Sequence, residues 1–141
     1  MMDTNSKTGR QEVIAAYADF DIEDFKNALG VVITTAIPAF ELPQGAMIVG
    51  GSIVCDTLFD GTTPALAIGD DDDDTPDEDR YLAAGSLAAA DTAVPITNAD
   101  GVQTVGACNL TLKLSASDST VGAGRICVQY VVKGRTAFSQ G

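Results

Sequence analysis

Histidine and tryptophan are absent from this 141-residue chain, and bases are scarce, with eight Lys and Arg against twenty Asp and Glu. Without imidazole the chain lacks the commonest general base, nucleophile activator and metal ligand. Ser-His-Asp and Cys-His centres are therefore excluded. No GxxxxGK[ST] or helix-opening GxGxxG loop is present to cradle a phosphate. Cys55, Cys108 and Cys127 form no CxxC pair, and an odd count reads as buried free thiols in a reducing compartment. No stretch approaches the ~20 apolar residues that span a bilayer, so no membrane partner is expected. Met1–Gln11 is polar and has no apolar core of a signal peptide, which predicts folding in a cytoplasm.

The formal charge of −12 repels phosphate, which disfavours direct binding to nucleic acid or to an anionic membrane. It favours a partner with a basic patch, and it keeps a high-copy protein soluble.

Hydrophobic periodicity predicts an all-β chain. Residues 12–22 fit a strand or, extended through Glu23–Lys26, a helical turn. After Gly30, the β-branched run Val31–Thr35 predicts a strand. Pro38, Pro43 and Gly45 predict a bend. Met47–Phe59 is the longest strand candidate, with Met47, Val49, Ile53, Cys55 and Phe59 on one parity, and Gly50-Gly51 in its middle predicts a bulge or a close backbone approach. Asp60-Gly61 closes it as a turn, and Ala65–Ile68 is a short strand.

Eight carboxylates then fall within residues 70–79, a density that predicts a loop projecting into water. Residues 82–90 predict a short helical turn or an irregular edge. Cys108, Leu110, Leu112 and Leu114 alternate with polar residues, as do Ile126, Val128, Tyr130 and Val132, and the turn-forming spacer between them predicts an antiparallel hairpin. The expected architecture is an antiparallel β-sandwich or jelly roll with an N-terminal arm (1–11), one domain (12–135) and a C-terminal tail (136–141).

Candidate chemistry is thin. Clustered acids in a solvated loop keep ordinary pKa values and make poor acid/base pairs. The Asp70–Asp74 run lacks the spacing of an EF-hand calcium loop. Cys55 and Cys108 fall on apolar strand faces and behave as small hydrophobes, while Cys127 falls on the opposite face. No catalytic, metal or cofactor residue is assigned, and no enzyme is expected. The termini point to assembly instead, with Lys7 and Arg10 on the arm and Phe138 in the tail as candidate contacts to other subunits.

The order "ELPQGAMIVGGSIVCDTLFDGTTPALAIGD", an acidic gap, "DRYLAAGSLAAA" and "GAGRICVQYVVKGR" resembles the head decoration or cement proteins of tailed bacteriophages, over roughly residues 30 to 135. The acidic insertion is longer here than in that pattern. The resemblance implies a jelly-roll fold, no catalytic residues and no cofactor. It further implies a place on the outer capsid surface across subunit seams, the major capsid protein as partner, a homo-oligomer (dimer or trimer), and synthesis in the host bacterial cytoplasm. A tail, neck or fibre-base subunit is the nearest alternative. A carbohydrate- or ligand-binding β-sandwich is another, though three Tyr and no Trp supply few rings for a sugar platform.

Overall fold

The computed structural model describes residues 13–72, 77–96 and 108–132. Eight strands run in chain order: β1 (Ile14–Asp21), β2 (Ile37–Leu42), β3 (Ala46–Thr57), β4 (Ala65–Asp70), β5 (Asp77–Ser86), β6 (Ala93–Pro95), β7 (Cys108–Leu114) and β8 (Ala123–Val132). They form two four-stranded sheets, ordered β1-β8-β3-β6 and β2-β7-β4-β5. Every strand pairing is antiparallel.

The pairs β1/β8, β2/β7, β3/β6 and β4/β5 nest one inside the next, so the chain is one long antiparallel ribbon closed at β4–β5. Rolling that ribbon into two facing sheets makes an eight-stranded jelly roll. The inner faces of both sheets share one core, in which Leu42, Leu66, Ile68, Leu110, Leu114, Ile126 and Val128 are wholly buried. Phe20, Phe25 and Phe59 close one end, with ring centroids 6.1–6.5 Å apart in tilted and edge-on contacts.

The expected hairpin between the last two strands does not form. β7 pairs with β2 and β4, whereas β8 pairs with β1 and β3 in the other sheet. Both strands alternate inward and outward as expected. Alternation specifies a face, however, and says nothing of the neighbour. The connection through residues 115–122 crosses between sheets and is tied to the loop before β4.

The glycine pair in β3 marks a bulge, and the bulge overturns the single parity expected for that strand. Register shifts between Ile48 and Gly50, so two residues oppose one and the inward set changes from even to odd. Ala46 and Ile48 are buried on one side of the shift, Ile53 and Cys55 on the other, and Val49 is exposed. Gly51 has φ +146°, and a Cβ there would stand 2.4 Å from the Cys127 carbonyl oxygen. A larger residue is therefore excluded at this crossing.

Two other expectations are corrected. Val31–Thr35 is not a strand. Asn27 folds the chain back by accepting hydrogen bonds from the Leu29 and Val31 amides, and only a Lys26–Val32 bridge forms. Pro38 lies inside β2 and the bend sits at Pro43–Gly45; β2 is an edge strand, where a missing N–H is tolerated. Of the two readings of residues 82–90, the irregular edge is found over 82–86: they belong to β5, an edge strand with two register shifts, where Leu82 and Gly85 pack against β4 and Ile53. The ambiguity at 12–22 resolves into both readings, β1 followed by a 3₁₀ turn over Ile22–Phe25. Asp21 caps that turn by accepting from the Glu23 and Asp24 amides.

Candidate functional site

Lys7, Arg10 and Phe138, the contacts expected from sequence, lie outside the described residues, as do Asp73 and Asp74 of the acidic run. The remaining acids of that run are not uniformly solvated. Asp70 continues the inward parity of Leu66 and Ile68 on β4 and is 2% exposed. Its carboxylate accepts from Arg80 Nε at 2.9 Å and from the Tyr81 hydroxyl at 2.8 Å, both carried by β5. Burial, then the adjacent Asp70 carboxylate, push the Tyr81 phenol far above its ordinary value, so it acts as a permanent hydrogen-bond donor. Asp72 is also buried, and Asp71 accepts from the Asn109 amide and side chain at the start of β7. The beginning of the run is thus built into the sheet, because donors on three residues of β5 and β7 face it.

A second set of acids fastens the opposite loops. Asp60 accepts from the Thr120 hydroxyl and from the Thr120 and Val121 amides, while Asp118 accepts from the Thr62 amide and hydroxyl. The Thr120 hydroxyl, followed by the Val121 and Thr120 amides, holds the Asp60 carboxyl down at about 2. The Thr62 amide and hydroxyl lower Asp118 in the same direction. These two clamps tie the chain crossing between β7 and β8 to the turn between β3 and β4.

Cys55 is buried and its thiol is directed at the Thr57 carbonyl, 3.0 Å away. Burial, then the carboxylates beside it, push the Cys108 thiol up to about 12, which keeps it protonated and inert. Cys127 is half-buried on the outward face of β8. Among the described residues, no group of three or more potential ligands is placed to hold a metal, and no helix is long and apolar enough to cross a membrane.

The described residues also form hollows on the surface. One, of about 470 Å³, lies on the outer face of β7-β4-β5 over Ala65 and Ala67, with the Lys113–Glu78 ion pair (2.7 Å) at its rim. Another, of about 370 Å³, lies between the edges of β1 and β2. It is walled by Ala18, Phe20, Ile37 and Leu112, with Asp19 and Asp24 at its mouth. What the molecule offers a partner is surface of this kind: sheet edges, outer sheet faces and acidic loops. Sequence patterning missed the Asp70–Arg80–Tyr81 cluster, although the signal was present in the parity that Asp70 shares with Leu66 and Ile68.

No protein-family model matches the chain, and no curated protein matches it in sequence. Solved structures do match. A chain of the cyanophage Pam1 capsid asymmetric unit is similar with a TM-score of 0.65 and 25% identity, covering 87% of this chain and 86% of that one. A chain of the capsid of Ralstonia phage GP4 gives 0.64 and 19% identity over 89% and 86%. A chain of the acid-stable capsid of Helicobacter pylori bacteriophage KHP30 gives 0.61 and 17% over 87% and 90%. The latter two speak for the fold alone. In all three the likeness runs over nearly the whole of both chains, so each neighbour is a molecule of similar size and not a larger protein containing such a domain.

Proposed function

We propose that this protein is a structural component of a phage virion, a decoration or cement protein that binds the outer surface of the capsid and stabilises it across subunit seams. The observation that carries the reading is the whole-chain likeness, at 25% identity, to a chain of the Pam1 capsid asymmetric unit, and the fold shared with two further phage capsid chains agrees with it. Charge supports an outer position: a surface of formal charge −12 against packaged DNA is repelled by phosphate, whereas the outside of a shell imposes no such cost. The site chemistry agrees, since Asp70 is committed to structure and Cys55 and Cys108 are buried with their thiols held protonated. Weak individual contacts are sufficient on a lattice, because each becomes intramolecular once the first has formed. A dimer or trimer on a symmetry axis would bridge several subunits of the major capsid protein at once.

Mixing the purified protein with undecorated heads, followed by sedimentation and electron microscopy, tests the proposal. Added density on the outer face, with heads that withstand heat better, is the expected result. Density confined to the tail, neck or fibre base would replace it with the alternative role in the same virion.

A further inference from the structure

The two sheets leave four edge strands, and three are protected by the devices that keep edges from pairing. β2 carries Pro38 and a register shift beside it. β6 is three residues long and ends in Pro95. β5 is irregular twice along its pairing with β4 and begins with Asp77, Glu78, Asp79 and Arg80. β1 has no Pro and no register shift, and its only charges are the outward Asp19 and Asp21. Its eight residues pair with β8 in unbroken register from Ile14–Tyr130 to Asp21–Ala123, with no Pro, Gly, Lys or Arg. Among the described residues, nothing pairs with its outer side.

The hollow between β1 and β2 lies along this same edge. A strand added to β1 would direct every second side chain inward, over Ala18, Phe20, Ile37 and Leu112. Asp19, Asp21 and Asp24 cluster where β1 ends, and among the described residues no base forms an ion pair with them. Another copy of this acidic chain would bring further negative charge to that place. We propose that β1 is a docking edge for an extended segment of the shell protein, with small apolar residues at alternate positions and a basic residue facing Asp19 and Asp24. The binding mode is strand addition, in which the backbone ladder gives affinity and the hollow gives register. The identity of the partner rests on the function proposed above, whereas the open edge does not.

The test uses the full-length protein and a short synthetic peptide of alternating Val and Lys, together with the same peptide N-methylated at alternate residues. The methylated form keeps the charge but cannot complete a ladder. Hydrogen exchange should slow over residues 14–21 with the first peptide only. The methylated form should bind about tenfold more weakly or worse, through loss of its backbone hydrogen bonds. Ala18→Lys, which directs a charge into the hollow, should weaken the first peptide by a similar factor.

Equal binding of both peptides, or protection confined to β2, β5 or β6, would overturn the inference. So would a dimer in sedimentation equilibrium that Ala18→Lys dissociates, since a second copy would then own the edge. On undecorated heads, β1 should be protected in the bound protein. Binding with β1 still exchanging freely defeats the docking edge and leaves the proposed function standing. Failure to bind heads, with the peptide still protecting β1, defeats the proposed function and leaves the open edge.

Discussion

Asp60 and Asp70 have the same side chain, and the fold uses them in opposite ways. Asp70 is sealed inside the β2-β7-β4-β5 sheet against Arg80 and Tyr81. Asp60 stands in solvent and clamps two loops through the Thr120 hydroxyl and the Thr120 and Val121 amides. The first is held by a counter-charge away from water, where removing either partner leaves an expensive orphan. The second is held by neutral donors in water, where its contribution depends on pH. Counting acids along the chain treats the two alike, and what separates them is which donors the fold places opposite each.

The strongest break of this contrast is a buried acid without a base. Leu112 pairs with Ile68 in register and is 2% exposed. Leu112→Asp therefore puts a carboxylate in the sheet that holds Asp70, at a cost of several kcal/mol. The expected outcome is loss of the cooperative urea transition, and a folded Leu112→Asp protein would show that the site finds a donor or admits water.

Next comes the reverse operation, removal of the base. Arg80→Met leaves the buried Asp70 with neutral donors only, the Tyr81 hydroxyl and the Asp72 amide, and should cost about 3–5 kcal/mol in denaturant titrations. A loss below about 1 kcal/mol would show that Asp70 is not sealed from solvent.

Asp60 should reveal itself through acid. Its folded value lies at about 2 against an ordinary 3.8, so the unfolded chain binds a proton more readily. Its stabilisation is fully present above about pH 4 and is lost as the pH falls towards about 2. Asp60→Asn should remove part of this acid-sensitive limb from a plot of melting temperature against pH while leaving its neutral-pH fold intact. An unchanged limb would assign it to other carboxylates, of which Asp118 is the nearest candidate.

The smallest effect concerns a buried hydroxyl with no hydrogen-bond partner among the described residues. Thr111 is 4% exposed, and its hydroxyl has no hydrogen-bond partner among the described residues. Thr111→Val should hold or raise stability, by up to about 1 kcal/mol. A clear loss would reveal a bound water at that hydroxyl.

Much of the fold was legible in the chain because period-2 alternation is a local property. Leu110, Leu112 and Leu114, and Ile126, Val128 and Tyr130, face the core as their spacing requires. Gly50-Gly51 announced the bulge of β3, though not that it would turn Met47 and Val49 away from the core. The helical composition of residues 82–90 was overridden by packing against β4 and Ile53, and Val31–Thr35 by the Asn27 turn. The acidic run was misread as wholly solvated because its partners Arg80, Tyr81 and Asn109 come from other strands.

The amino-acid sequence by itself determined the class of this protein. The lack of imidazole removed histidine-dependent chemistry, the alternating apolar rows required sheets, and the excess of carboxylates set the sign of its field. Tertiary structure alone decided which strands pair, which acids are buried and, among the described residues, which strands lie at the sheet edges. Each of these depends on residues far apart in the chain meeting in space, and no local period encodes such meetings.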